Sequence, residues 1–82
     1  MAEKQRYETE WEGLRLVIEQ LPDHYQAFVY DPKECEVLYI CKRARLDLAQ
    51  FAAVEYAAAV RFGPDHSLKP EILSAMLGWD EC

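Results

Sequence analysis

The sequence predicts an α+β fold: a three-stranded antiparallel β-meander packed on one long α-helix, with a short C-terminal helix. Three segments, around residues 14–18, 25–30 and 37–41, alternate in hydrophobicity as strands do. From Leu46 the apolar period changes from two residues to 3.6, which is typical of a helix. With 82 residues, the chain is expected to form a single small domain over 1–82. Residues 1–6 are polar and are expected to be frayed.

The first strand has a conflict of parity at Gly13. The alternate glutamates from Glu8 to Glu12 have the same parity as the apolar residues from Leu14 to Ile18. An unbroken strand would therefore place both sets on one side of the sheet. A β-bulge near Gly13 would reverse the facing, because one extra residue shifts the alternation and glycine suits the backbone of a bulge. We therefore predict a bulge there, with the glutamates pointing to solvent.

Two turns that contain proline separate the following strands. The first covers Leu21–His24, where proline presets one turn position and aspartate favours local hydrogen bonds. The second covers Asp31–Glu34 and begins with Asp-Pro, the preferred start of a type I turn. These turns place the second strand at about residues 24–30 and the third at about residues 36–41. Two tight connections in succession indicate an antiparallel meander.

The long helix is predicted over residues 46–62, where alanine is abundant and apolar residues recur on one side. Gly63 and Pro64 end it, because glycine suits the position after a helix and proline cannot continue one. The tail, residues 64–82, is expected to carry a short helix with Pro70 in its first turn. The apolar residues of that helix are Ile72, Leu73, Met76 and Leu77.

The composition is acidic and favours a location in the cytoplasm. Its 15 acidic and 9 basic residues give a net charge of −6, which disfavours attraction to nucleic acid or to an anionic membrane. Three cysteines are an odd number, whereas small secreted domains carry an even set, so reduced thiols are expected. We read no secretory leader, and no run approaches the roughly 20 apolar residues that span a bilayer.

Cysteine, histidine and glycine form no recognisable catalytic, metal or phosphate site in the sequence. Cys35 and Cys41 would lie about 20 Å apart along one strand, too far to share a bond or an ion. His24 and His66 each follow an aspartate, but neither has a second ligand at a zinc spacing, and catalytic triads depend on spatial roles. We therefore predict no catalytic residue, metal, cofactor or small-molecule ligand. Cys82 is expected to be the most reactive thiol.

Lys42, Arg43 and Arg45 form a basic cluster just before the long helix. One interpretation is a contact with phosphate, which would make the protein a small nucleic-acid-binding module. The other is solvated charge in a loop, balanced by nearby glutamates. Because a nucleic-acid-binding face needs several more positive groups, the second interpretation is preferred and the first is the alternative.

The strongest functional signal is the presence of large apolar residues at both parities of the second and third strands. One helix covers only one face of a sheet, so the other face needs separate cover. A second copy of the chain is the simplest cover, because one self-complementary patch then covers itself. The alternative is that the tail folds across this face. The residues predicted to bind the partner are Phe28, Tyr30, Leu38 and Ile40.

A Trp-x-Gly stretch at Trp11–Gly13, an Asp-Pro turn and the order strand–strand–strand–helix resemble small bacterial sheet-and-helix domains. The chain is also similar to the antitoxin type that has a degraded double-stranded-RNA-binding sheet. Such likeness concerns the fold and transfers no residue roles. The sequence therefore predicts a non-enzymatic cytoplasmic protein–protein interaction module that forms a homodimer. Its role would be that of an accessory subunit, or of an inhibitor of the antitoxin or phage type.

Overall fold

The computed structural model describes residues 5–81 and shows an antiparallel sheet with two helices on one side. The strands are β1 (Arg6–Trp11), β2 (Leu14–Gln20), β3 (Tyr25–Asp31), β4 (Glu36–Arg43) and β5 (Asp80–Glu81). The helices are α1 (Leu46–Phe62) and α2 (Pro70–Met76). The strand order across the sheet is β4-β3-β2-β1-β5. The predicted α+β class is confirmed, but the sheet has five strands where the sequence predicted three.

The predicted bulge at Gly13 is wrong, because this glycine lies in a two-residue hairpin turn. Trp11 pairs directly with Leu14, and the ladder between β1 and β2 continues regularly from there. Glu12 and Gly13 have φ angles of 52° and 75°, which suit the type I′ turn preferred between twisted antiparallel strands. Reversal of the chain, and not a bulge, therefore separates the glutamates of β1 from the leucines of β2. The side chains of β1 and β2 face the predicted sides of the sheet, but the cause is a hairpin turn and not a bulge.

Both ends of the described chain meet at β1. β5 runs antiparallel to β1, with Glu81 opposite Tyr7 and Asp80 opposite Glu8. The carbonyl oxygen of Gln5 accepts a hydrogen bond from the backbone N–H of Gln20 at 2.9 Å. The prediction of a frayed start is therefore wrong for residues 5 and 6, and its other part, residues 1–4, lies outside the described residues. Strand β5 was missed because two polar residues carry no alternation.

The hydrophobic core lies between α1 and the face of the sheet that α1 covers. The predicted bounds of α1, 46–62, are confirmed. The helix contributes mostly small residues, so its axis can lie close to the sheet. The backbone N–H of Gly63 donates to the carbonyl of Ala59 at 2.9 Å, and the glycine leaves the helix with φ 94°. The fully buried members of the core are Leu14, Leu16, Ile18, Ala27, Val29, Ala49, Ala53, Val54 and Ala57.

The outer strand β4 contains a bulge at Leu38. Val29 pairs with Tyr39 and the next residue of β3, Tyr30, pairs with Val37, so Leu38 is the extra residue. Its side chain packs against the core. The hydroxyl of Tyr56 on α1 donates to the carbonyl oxygen of Leu38 at 3.1 Å. The ring of Tyr56 also stacks on that of Tyr39, with centroids 4.3 Å apart, which ties the helix to the outer strand.

The two predicted turns are present. The backbone N–H of Leu21 donates to the carbonyl of His24 at 2.8 Å and closes the first. In the second, Asp31 Oδ1 accepts hydrogen bonds from the backbone N–H groups of Lys33 at 3.0 Å and Glu34 at 3.3 Å. This is the local hydrogen bonding that favours aspartate at the start of a turn.

The tail packs on the helix side of the sheet. Helix α2 begins with Pro70 in its first turn, as predicted, and lies against α1. Leu73, Leu77 and Trp79 pack against the core, and the indole N–H of Trp79 donates to the carbonyl of Ser74 at 3.1 Å. The alternative in which the tail covers the opposite face is therefore wrong, because Leu73, Leu77 and Trp79 pack on the same side as α1, while Ile72 and Met76 are exposed.

Candidate protein-interaction surface

The face of the sheet opposite the helices, called the open face here, is defined by the strand register. Its residues form three rows that run across β1, β2, β3 and β4. The first row is Arg6, Glu19, Gln26 and Lys42. The second row is Glu8, Val17, Phe28 and Ile40. The third row is Glu10, Arg15, Tyr30 and Val37. The charged residues are mostly on β1 and β2, and the apolar ones mostly on β3 and β4.

The apolar part of the open face is a patch on β3 and β4. Val37 and Ile40 are 48% and 54% exposed, and Phe28 and Tyr30 beside them are partly exposed. We call these four residues the apolar patch. Scattered exposed apolar residues are ordinary on a protein surface, but a contiguous group on a sheet face marks a contact surface. Within residues 5–81, no segment of the chain lies over this patch.

A shallow groove of about 390 Å³ crosses the open face beside the patch. Val17 lies at its floor and is only 5% exposed. Charged side chains of β1 and β2 form one wall, and Phe28, Tyr30 and Val37 form the other. Ile40 stands outside the groove. The open face therefore combines a projecting apolar side chain with an apolar-floored depression.

The charged half of the open face is internally paired. Arg15 lies 3.7 Å from Glu8 and 2.8 Å from Glu10, and Arg6 lies 3.6 Å from Glu8. Asp80 of β5 is opposite Glu8 and adds a further acid at this side. Exposed ion pairs of this kind contribute at most about 1 kcal/mol each. The exposed ion pairs keep the β1 side of the open face hydrated. Its acidic residues outnumber its arginines, so this side is net negative.

Three of the four predicted partner-binding residues lie on the open face. Phe28 and Ile40 are neighbours in one row, and Tyr30 is in the next. Leu38 is the exception: the bulge turns it towards the core, so its predicted facing is wrong. Val37 takes its place beside Tyr30, and sequence reasoning missed it because strict alternation along β4 would put it on the helix side. The neighbouring side chain of Cys35 raises the pKa of the Tyr30 phenol above its ordinary value.

At the free edge of the sheet, side chains already occupy two backbone carbonyl oxygens of β4. The carbonyl oxygen of Leu38 accepts the hydroxyl of Tyr56, and that of Lys42 accepts Arg43 Nη1 at 2.7 Å. A strand added at this edge would have to replace both bonds. Natural sheets protect their edges from unwanted pairing by such means, together with bulges and basic residues. The open face is therefore a better candidate for contact than the edge.

The predicted basic cluster lies at the end of β4 and before α1. Lys42, Arg43 and Arg45 are exposed, and Arg45 forms an ion pair with Asp47 at 2.7 Å. His24 and Asp23 border the same surface. A hydrogen bond from His24 Nδ1 to Asp23 Oδ1, at 2.6 Å, lowers the pKa of Asp23 and so keeps this carboxylate charged. The acids interleaved with the cluster reduce its positive field.

Within the described residues, His66 makes local contacts, and Cys35 and Cys41 form no disulfide bond. His66 Nδ1 accepts the backbone N–H of Leu68 at 3.1 Å, and His66 Nε2 lies 3.3 Å from Glu55 Oε1. Cys35 and Cys41 are free thiols, as predicted, whereas the prediction for Cys82 falls outside the described residues. Among residues 5–81, no three histidine, cysteine or acidic side chains are placed to hold a metal ion.

A second apolar surface lies on the helix side, at the end of α1. The rings of Trp11 and Phe62 meet edge to face with centroids 5.7 Å apart. Leu68 and Leu73 complete a depression of about 460 Å³. His66 and Ser67 form the polar part of its lining.

Neither α1 nor α2, the helices found in residues 5–81, combines the length and apolar character needed to cross a membrane. Comparison with protein-family models, with curated proteins and with solved structures gives no match to this chain. Its function must therefore be argued from its own surfaces.

Proposed function

We propose that the protein is a non-enzymatic protein–protein interaction module of the cytoplasm, which self-associates by covering its open face. The observation that supports this proposal is the apolar patch, whose most exposed members are Val37 and Ile40. Each large apolar side chain left in water forfeits about 1.5–3 kcal/mol that burial would provide. A typical domain is stable by only about 5–15 kcal/mol, so the patch is costly unless it is covered.

A location in the cytoplasm is supported by the thiols. Cys35 is exposed and Cys41 is half-buried, and both are unpaired. Exposed thiols persist in reducing compartments and are oxidised elsewhere. Its role is that of an accessory subunit or of an inhibitor, since both act through a contact surface and not through a reaction.

Light scattering on the purified protein tests self-association. We expect twice the chain mass of 9.6 kDa at micromolar concentration. Ile40→Lys should return the protein to a monomer, because a charge in the apolar patch cannot be buried without a partner. Val60→Lys is the matched control, since Val60 is 42% exposed on α1 and away from the open face. A monomeric wild-type protein, or equal loss of mass in both variants, would contradict the proposal.

Fluorescence anisotropy with duplex DNA and RNA at low salt tests the alternative function. We expect no salt-sensitive binding, because affinity for nucleic acid depends chiefly on neutralising phosphates and the net charge is −6. Binding that weakens when Lys42, Arg43 and Arg45 are changed together to alanine would support a nucleic-acid-binding module instead.

A further inference from the structure

We propose that the partner of the open face is a second copy of the chain in one defined orientation. The two-fold axis runs along β3, Ile40 of each copy lies in the groove over Val17 of the other, and Lys42 faces Glu19. This inference rests on the proposed function and adds to it the arrangement of the two copies. The register, the shape and the charges of the open face carry it.

The register determines which residues meet. Two stacked sheets lie about 10 Å apart with their strands nearly aligned. Rotation about an axis along β3 keeps each row opposite the same row of the other copy and exchanges β4 with β2. In the middle row, Phe28 then meets Phe28, and Ile40 meets Val17. The apolar residues of the middle row are thereby covered by apolar residues, and in the third row Tyr30 meets Tyr30 and Val37 lies against Arg15.

The shape of the face favours this exchange. Ile40 projects, with 54% of its surface exposed, whereas Val17 is the 5% exposed floor of the groove. The axis along β3 places each projecting side chain over a depression. An axis across the strands would instead place Ile40 against Ile40 and groove against groove, which leaves both grooves empty. Close packing at an interface disfavours such voids.

The charged residues of the open face favour the same axis along β3. Lys42 and Glu19 flank Gln26 in one row, so the exchange of β4 with β2 brings each lysine opposite a glutamate of the other copy. Glu8 on β1 lines the outer wall of the groove and, with Glu10, stays at the hydrated rim of the contact. An axis across the strands would set Glu8 against Glu8, and like charges brought together disfavour a complex.

Edge pairing between two β4 strands is a further arrangement, and two observations oppose it. The carbonyl oxygens of Leu38 and Lys42 already accept side-chain hydrogen bonds. Edge pairing would also place two apolar patches side by side in one continuous sheet, where both would remain in water. Stacking, in contrast, removes the patch from water in both copies.

A charge exchange tests the orientation. Lys42→Glu and Glu19→Lys should each raise the dissociation constant of the dimer about tenfold, because two ion pairs per dimer become repulsions. The double variant should recover the wild-type value. Lys69→Glu is the matched control: it changes the net charge by the same amount as Lys42→Glu, but Lys69 is exposed just before α2, on the helix side and away from the open face. Dissociation constants are measured by analytical ultracentrifugation, with circular dichroism to confirm that every variant is folded.

The outcomes separate the orientation from the function. A wild-type protein that remains monomeric at every concentration overturns self-association itself. A wild-type dimer that Lys69→Glu weakens as much as Lys42→Glu, or that the double variant does not restore, retains self-association but overturns the axis along β3. Recovery in the double variant, with Lys69→Glu close to wild type, supports the proposed arrangement.

Discussion

Removal of the Tyr56 hydroxyl would release the outer strand from the helix without disturbing the stacked rings. In Tyr56→Phe the ring can still stack on Tyr39 at 4.3 Å, but the 3.1 Å hydrogen bond to the carbonyl of Leu38 is lost. A hydrogen bond of this kind contributes about 0.5–1.5 kcal/mol to stability. For a domain of this size, 1 kcal/mol corresponds to about 4–8 °C in the melting temperature. We therefore expect a fall of several degrees.

Tyr56→Ala is the comparison variant, because it removes the ring as well. An aromatic pair contributes about 0.5–1.5 kcal/mol beyond its buried area, so this variant should lose clearly more than Tyr56→Phe. Thermal and urea unfolding at one fixed protein concentration measure both losses, since association makes the midpoint depend on concentration. A Tyr56→Phe protein as stable as wild type would show that the hydrogen bond to Leu38 does not hold the outer strand. Equal losses in the two variants would show that the stacked ring contributes nothing.

Two further predictions concern the turns. Glu12→Asn should raise the free energy of unfolding by about 0.5–1 kcal/mol, because Asn-Gly suits a type I′ turn better than a glutamate held at φ 52°; an unchanged or lower urea midpoint would contradict this. The hydrogen bond from His24 lowers the pKa of the Asp23 carboxyl in the folded state. The ionised Asp23 therefore stabilises the fold at pH values above the ordinary pKa of 3.8, and this stabilisation is lost as the pH falls through the lowered pKa. An NMR titration of the Asp23 carboxyl should therefore have its midpoint below 3.8, and His24→Ala should raise that midpoint; a wild-type midpoint at 3.8 or above would exclude the effect.

The sequence predicted the elements whose signals are local. Helix α1 was placed at its correct bounds, because the change of period at Leu46 and the Gly63-Pro64 stop are both explicit in the sequence. The turn at Asp31 was recognised for the same reason, since one carboxylate oxygen accepts the bonds that define it. The division of β3 into two faces followed from simple alternation. It placed Phe28 and Tyr30 on the open face.

The parts that were missed depend on contacts between distant residues. The bulge at Leu38 depends on Tyr56, which lies 18 positions later and holds the displaced carbonyl. Strand β5 depends on the free edge of β1, against which its two residues pair. The hairpin at Gly13 was hidden because glutamate is uncommon at a positive φ angle. The bulge at Leu38 also explains why Val37, and not Leu38, belongs to the apolar patch.

The run of alanines on α1 has a consequence for which mutations the chain can tolerate. Ala49, Ala53 and Ala57 are fully buried, whereas the opposing side of the core is built from large residues such as Leu16 and Ile18. Enlarging a residue on the helix would force it away from the sheet, and shrinking a residue on the sheet would open a cavity. The two walls of the same core are therefore sensitive to opposite kinds of change. In a drifting lineage, we therefore expect an enlargement on the helix to be accompanied by a reduction on the facing sheet, because the total volume of the core is then conserved.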